Sequence, residues 1–140
     1  MGHRLVLVSG LVLMLAMLGG CGSDSGSVQE PGDLNGTSWT VVAIRGLPVP
    51  DGMKVTAAFD EGKVNGQAAC NGYFAGYEQN GTTLTFSELG GTRKMSDEPA
   101  MAEEKRFMEA FELVRFGELD GDALILRGGA KEMLVILKPA

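Results

Sequence analysis

The sequence predicts an α+β domain, with an antiparallel, partly barrel-like β-sheet and one packed α-helix. Three observations indicate this class. Short β-branched and aromatic runs alternate with turn signals along most of the chain, as in the strands of an antiparallel sheet. Glycine accounts for 21 of 140 residues, well above ordinary usage, which is typical of a fold with many turns. One amphipathic segment with helical spacing interrupts the strand pattern near residue 100.

The first twenty residues differ from the rest of the chain. A short basic start, His3-Arg4, precedes an apolar run from Leu5 to Leu18 that is too short for the ~30 Å hydrocarbon core of a bilayer. The run ends in residues 18–21, Leu-Gly-Gly-Cys, which resemble the bacterial lipobox. That resemblance implies cleavage before Cys21 and attachment of lipid to Cys21. The alternative is an ordinary signal peptide that leaves Cys21 as a thiol.

These features divide the chain into a lipoprotein signal peptide (1–20), a flexible polar tether (21–32) and a folded domain (33–140). We expect a lipid-anchored protein of the cell envelope, whose membrane contact is the lipid on Cys21. Gly22 stands where an Asp would resemble an inner-membrane retention signal. The expected location is therefore the outer membrane, facing the periplasm, if the source has two membranes.

Charge and composition exclude several functions. Twelve Lys and Arg against eighteen Asp and Glu give a net charge of −6, which argues against a nucleic-acid partner. The single histidine lies within residues 1–20, so the mature chain lacks the residue for Ser-His-Asp or Cys-His catalysis and for His-based metal sites. We expect a monomer with no cofactor, no metal and no enzymatic activity. The alternatives left open are carboxylate-only hydrolysis and calcium binding by the turn at residues 120–122.

Strands are predicted from β-branched and aromatic runs between turn signals. Residues 46–52, which hold two prolines, are expected to form a loop. Asn80-Gly81 is the strongest hairpin signal. In chain order the predicted strands are 37–44, 54–59, 63–69, 73–79, 82–86, 115–119, 123–127 and 133–138.

One helix is predicted to begin near Pro99, with Ser96 or Asp97 as its N-cap. Spacings of three and four residues predict a stripe packed on the sheet, made of Met101, Phe107, Met108, Phe111 and Val114. A partner-binding face is the second interpretation of this stripe. The solvent-exposed side is expected to carry Glu103, Glu104, Lys105, Arg106 and Glu112.

Several motifs resemble the META domain, the heat-inducible HslJ-type family. Residues 34–39 (Leu-Asn-Gly-Thr-Ser-Trp) look like its opening, and residues 66–71 (Gly-Gln-Ala-Ala-Cys-Asn) are similar to its Gly-x-x-Gly-Cys-Asn signature. Residues 92–96 (Thr-Arg-Lys-Met-Ser) occupy its Thr-x-x-[Ala/Met]-Cys position. Residues 103–107 resemble its Glu-x-x-[Phe/Tyr] helix, and residues 122–126 its Leu-x-Leu strand.

The resemblance covers residues 34–137 and implies a compact α+β domain of secreted or lipid-anchored bacterial proteins, linked by name to heat stress. It supplies no catalytic residues. We interpret its motif residues as structural: Trp39, Cys70, Asn71 and Thr92. Two alternatives stay open, because Asn71 is either a turn residue or a polar contact in a binding groove, and Trp39 either a core anchor or part of a pocket wall.

Two residues depart from the family pattern. Ala69 stands in place of the glycine before Cys-Asn. Ser96 stands in place of the second cysteine, so a disulfide that many members could form cannot form here. With Cys21 attached to lipid, Cys70 is expected to be a shielded free thiol.

We therefore expect a lipid-anchored envelope protein that binds a partner or supports envelope integrity under stress. One alternative is an inhibitor of a lysozyme- or protease-type enzyme, which would use an exposed loop at residues 46–52 or 90–97. A second alternative is a carrier of a small ligand in the barrel interior. A rigid protruding loop would favour the inhibitor, and an apolar cavity of roughly 300 Å³ or more would favour the carrier.

Overall fold

The computed structural model describes residues 28–140, so the predicted signal peptide, Cys21 and residues 22–27 of the predicted tether lie outside the described residues. The described elements, in chain order, are β1 (Thr37–Ile44), β2 (Leu47–Pro48), β3 (Thr56–Asp60), β4 (Lys63–Ala68), β5 (Asn71–Asn80), β6 (Thr83–Gly91), α1 (Glu98–Glu112), β7 (Val114–Asp120), β8 (Ala123–Gly128) and β9 (Met133–Pro139). No helix within residues 28–140 is long and apolar enough to span a membrane.

Eight of the strands form a closed antiparallel barrel. From β3 to β9 each strand pairs with the next, and β1 closes the barrel by pairing with both β3 and β9. The short β2 pairs only with β1, inside the stretch predicted as a loop. The predicted α+β class with a barrel-like sheet is confirmed.

The seam between β6 and β7 is the least paired part of the barrel. These strands share one ladder pair, Thr83 with Phe116, and the Gly117 N–H donates to the Thr82 carbonyl at 2.8 Å. The helix lies in the connection between them. It contacts β1, β4, β6 and β9, so it covers one open end of the barrel.

Aromatic packing holds α1 in place. Phe107 and Phe111 are buried, and the Phe111 ring stacks on Phe86 with centroids 3.8 Å apart and an interplanar angle of 14°. Tyr73 of β5 meets both helix rings edge-on, at 5.1 Å and 5.6 Å. The core of the barrel therefore continues into the helix that covers it.

The helix begins where the sequence predicts and ends earlier. Asp97 is the N-cap, and its carboxylate accepts from the Ala100 N–H at 3.3 Å. The helix ends at Glu112, so Val114, predicted on its buried stripe, is instead the first residue of β7. Val114 is buried all the same. Its spacing from Phe111 mimicked a longer helix because the first strand residue also faces the core.

The hairpin between β5 and β6 is shifted by one residue from its prediction. Asn80 pairs with Thr83, so the turn residues are Gly81 and Thr82. The positive φ, +59°, falls on Gly81, which matches a turn with glycine in its first central position. The strand after the turn also continues to Gly91 rather than ending at Phe86.

Two ends of the barrel are named by their residues. The helix end holds the turn at Ala69-Cys70, the segment 92–97 and α1. The tether end holds residues 28–36 and the turns at 61–62, 81–82 and 121–122. Strand β5 runs between the two ends and is about 30 Å long at ~3.3 Å per residue.

Residues 28–32, which the sequence places in the tether, lie against the tether end. The backbones of Gln29 and Leu119 pair in both directions, at 2.9 Å and 2.7 Å. This pairing occupies an edge of β7 that extends past the end of β6.

Candidate functional site

Asn71 is the centre of the helix end. It is the first residue of β5, and 6% of its surface is exposed. Its Oδ1 accepts from the Lys94 N–H at 2.6 Å and from the Thr92 hydroxyl at 3.0 Å. Its Nδ2 donates to the Lys94 carbonyl at 3.2 Å and to the Glu104 carboxylate at 3.0 Å. One amide thus ties both the segment 92–97 and α1 to the barrel.

Cys70 contacts the same point of the segment. Its thiol donates to the Lys94 carbonyl at 3.3 Å, and the residue is half-buried. Among the described residues Cys70 is a free cysteine. Ser96, at the family's second cysteine position, lies two residues beyond Lys94.

Three of the four family-motif residues therefore meet in one place: Cys70, Asn71 and Thr92 all contact each other or Lys94. Trp39 is separate from them. It is buried in the core, and its indole N–H donates to the Thr37 hydroxyl at 2.8 Å. The bonds of Asn71 are to residues 21 to 33 positions away, so it does not act as a local turn residue.

The prediction that both helix glutamates face solvent is wrong. Glu103 is buried and its carboxylate pairs with Arg106 at 2.9 Å, which is how a charged group is tolerated there. Glu104 accepts from the Asn71 amide, so it is a site residue, although the charge pattern of the helix placed it on the solvent-exposed side. The available signal was the Glu-x-x-[Phe/Tyr] motif, which residues 104–107 fit.

The segment 92–97 and α1 enclose a groove of about 350 Å³. The helix contributes Met101, Glu104, Lys105 and Met108, whose spacings of three, one and three residues place them on one stripe. The segment contributes residues 92–95, of which Met95 is 86% exposed. We call this space the Met groove.

The predicted Met/Phe stripe divides into two faces. Phe107 and Phe111 are buried in the core, as predicted. Met101, predicted to pack on the sheet, is 39% exposed and lines the Met groove with the half-buried Met108. Helical periodicity alone did not separate the two faces because they are neighbours on the helix surface.

Ala69, which precedes Cys70, explains the glycine of the family signature. Ala68 pairs with Asn71, so Ala69 and Cys70 form a two-residue turn. Ala69 has a φ of +57°, a left-handed conformation that glycine adopts without strain and alanine does not. Alanine at this position therefore carries a conformational cost that glycine would avoid.

Other parts of the described domain give weaker candidates for a functional site. A cavity of about 480 Å³ at the tether end is lined by residues that include Glu30, Asp33 and Tyr77. Within residues 28–140 no group of three or more His, Cys, Asp or Glu side chains is arranged to hold a metal ion. In the turn at 120–122, Asp122 pairs with Lys138 at 2.7 Å, and this contact lowers the pKa of the Asp122 carboxyl.

The barrel interior is filled by large apolar side chains, which weighs against the carrier alternative. The largest of these buried side chains are Phe59, Phe107, Phe111, Ile44, Leu84, Leu124, Leu126, Leu134 and Leu137.

These features define a class of protein: a small closed antiparallel barrel, covered at one end by a helix, with a loop fixed beside that helix by a buried asparagine. The META domain model matches residues 32–140, and the chain belongs to the META domain family. No curated protein matches the chain.

Two solved structures share the fold. An NMR structure of a protein from Burkholderia xenovorans is 21% identical, with a TM-score of 0.65, and the match covers 76% of this chain and 83% of that one. A second NMR structure is also 21% identical, with a TM-score of 0.58, over 74% of this chain and 89% of the other. These likenesses concern the fold alone.

Proposed function

We propose that this chain is a lipid-anchored protein of the bacterial cell envelope that acts by binding a partner through the Met groove of its META domain, without catalysis. The observation that carries the proposal is the segment 92–97. Asn71 holds its backbone at both the N–H and the carbonyl of Lys94, and the next residue, Met95, is 86% exposed.

Met95, Met101 and Met108 line the groove together, and a contiguous exposed apolar patch of this kind is typical of an interaction site. Met95 follows a residue fixed by two hydrogen bonds, so its backbone is held before any partner arrives. A fixed anchor loses less conformational entropy on binding than a mobile one. This geometry supports a binding role at the helix end.

The groups around the Met groove support a role without catalysis. Glu104 is the carboxylate among the lining residues, and its oxygens accept from the Asn71 amide. The half-buried Cys70 thiol contacts a backbone carbonyl rather than a base. A nucleophile beside an activating base is what covalent catalysis needs, and the described contacts do not supply that pair.

The lipid anchor rests on the amino-terminal sequence. Residues 18–21 (Leu-Gly-Gly-Cys) follow an apolar run and a basic start, in the order of a bacterial lipoprotein signal. In this proposal Cys21 carries the lipid, and the periplasmic face of the outer membrane is the expected location if the source has two membranes.

The inhibitor alternative has one specific observation in its favour. The residues from Gly91 to Pro99 are all exposed, and Asn71 fixes their backbone near the middle. An exposed loop whose backbone is fixed is the shape that an enzyme inhibitor inserts into a cleft. An inhibitor would bind through Met95 itself, whereas the main proposal uses the groove beside it.

The anchor is tested by Cys21→Ser in cells. We expect loss of acyl labelling and movement of the protein from the membrane to the soluble fraction. Membrane fractionation that stays unchanged in the variant would refute lipid anchoring.

The binding role is tested by a photo-crosslinking amino acid at position 95 in intact cells. The matched control carries it at Val28, an exposed apolar residue at the tether end. We expect one set of crosslinked partners at position 95 that is absent at position 28. Equal capture at the two positions would contradict a binding site at the helix end.

A further inference from the structure

We propose that the Met groove binds an extended, acidic segment of a partner protein, in which an apolar side chain is flanked by carboxylates. This inference rests on the proposed binding role and adds the chemistry of the partner.

The charges around the Met groove differ from those of the chain as a whole. The chain has a net charge of −6, yet Arg93, Lys94 and Lys105 all line the groove. The opposing carboxylate, Glu104, accepts hydrogen bonds from the Asn71 amide. Lys105 has an exposed side chain with a distant 3.9 Å ion pair to Glu109, which is a weak interaction. The rim therefore attracts carboxylates.

The floor of the groove selects an apolar group. Three methionines line it, Met95, Met101 and Met108. Methionine is unbranched and polarisable, so it adapts to apolar side chains of different shapes. A volume of about 350 Å³ is at the lower end of ligand sites and accommodates one or two large side chains. One apolar anchor with acidic neighbours fits both the floor and the rim.

A partner protein fits better than the lipid surface that carries the anchor. Six residues, 22–27, lie between Cys21 and Val28, so the seven Cα–Cα steps reach at most about 25 Å whatever their conformation. Val28 precedes Gln29, which is paired at the tether end. The groove lies at the other end of β5, about 30 Å along the strand. With the tether end toward the bilayer, the groove therefore stands about 30 Å above the end that faces the lipid on Cys21.

The first experiment uses the full-length protein in nanodiscs of neutral lipid, with carbon-13 in the methionine methyl groups. Three peptides are added: Glu-Glu-Leu-Phe-Glu-Glu, the same peptide with Lys in place of Glu, and the acidic peptide with Ser in place of Leu-Phe. We expect the acidic apolar peptide alone to shift the methyl signals of Met95, Met101 and Met108, with Met133 unchanged.

Charge reversal then tests the rim. In the double variant Arg93→Glu with Lys105→Glu, we expect the acidic peptide to bind about tenfold more weakly, since two exposed ion pairs at up to ~1 kcal/mol each are replaced by repulsion. The lysine peptide should gain affinity. Lys63→Glu, at an exposed position on β4 toward the tether end, is the matched control and should change neither Kd.

The apolar floor is tested by Met95→Ser against Met133→Ser, of which only the first should weaken binding of the acidic peptide. Equal binding of the acidic and basic peptides would overturn the proposal. Binding of anionic vesicles but of no peptide would also overturn it, in favour of a membrane surface. If no peptide binds while position 95 still crosslinks a partner in cells, the binding role stands and the acidic chemistry is wrong.

Discussion

Strand β5 carries an amide side chain near each end, and each amide holds a segment outside the barrel strands. At the helix end, Asn71 bonds the N–H and carbonyl of Lys94. At the tether end, Gln79 donates to the Pro31 and Gly32 carbonyls at 2.9 Å and 2.8 Å and accepts from the Leu34 N–H at 3.1 Å. The same device fixes the segment 92–97 at one end and residues 31–34 at the other.

The two ends differ in what supports the amide. At the helix end, an aromatic cluster of Tyr73, Phe86, Phe107 and Phe111 continues beneath the helix. At the tether end, the support is the Gln29–Leu119 backbone pairing, the buried Pro31 and Leu34, and one edge-on ring contact between Phe59 and Tyr77 at 5.0 Å. The difference predicts unequal costs when each end is perturbed.

The largest expected effect is at the aromatic cluster. Phe111→Ala removes the ring that stacks on Phe86 and should lower the free energy of unfolding by about 3–5 kcal/mol. Phe74→Ala is the matched control, because Phe74 is 59% exposed, and its cost should stay within about 1 kcal/mol. Urea unfolding measures both. Similar losses in the two variants would mean that the helix is not part of the core.

The two amides are compared directly by replacing each with leucine. Asn71→Leu leaves the Lys94 backbone and the Glu104 carboxylate without their partner and should cost about 2–3 kcal/mol. Gln79→Leu should cost about 1–2 kcal/mol, since Gln79 is half-buried and water can replace part of its bonds. Gln67→Leu, an exposed amide on β4, is the control. A larger loss for Gln79 than for Asn71 would reverse the comparison.

Of these two amides, the sequence singled out only Asn71 as a motif residue. Asn71 belongs to a family motif with Cys70 and Thr92, and all three meet in the structure. Gln79 lies in an ordinary strand pattern, and its partners are 45 to 48 residues away in the chain. The contact of Glu104 with Asn71 also spans 33 residues. Such pairings depend on barrel closure, which no local spacing encodes.

Local sequence patterns report local properties. They therefore predicted the secondary structure well and missed the contacts between distant residues that form the site. Strand β1 was predicted with its observed limits, because its β-branched residues and alternation are local properties. The burial of Glu103 was missed, because it requires the ion pair with Arg106 and the strands beneath α1. The division of the helix between core and Met groove was missed for the same reason.

The third prediction concerns pH and the Tyr73 hydroxyl, which donates to the Thr56 carbonyl at 2.6 Å. Burial raises the pKa of Tyr73, so the folded state keeps its proton above pH ~10, where the unfolded state loses it. The stabilising effect is complete below that pH and falls as pH rises, by up to about 1.4 kcal/mol per pH unit.

Unfolding free energies at pH 9, 10 and 11 measure this effect. Tyr73→Phe should flatten the alkaline decline relative to the wild type. Tyr77→Phe is the control: the pKa of Tyr77 is also raised, by burial and by the charge of Asp33, but Tyr77 is more accessible to solvent than Tyr73. Parallel declines in the wild type and Tyr73→Phe would show that Tyr73 does not control the alkaline limit.

The smallest expected effect compares the two hairpin turns at the ends of β5. Each has two turn residues, and the first has a positive φ, +57° at Ala69 and +59° at Gly81. Because a left-handed conformation costs an L-residue about 1 kcal/mol relative to glycine, Ala69→Gly should raise the free energy of unfolding by roughly that amount and Gly81→Ala should lower it. An added Cβ at Gly81 would approach the Glu30 carboxylate at 2.6 Å, and that side chain is flexible enough to move.

The double variant should return close to the wild type, because the sites lie about 30 Å apart along β5 and distant substitutions add. Destabilisation by Ala69→Gly would mean that the alanine makes contacts worth more than the strain of its turn.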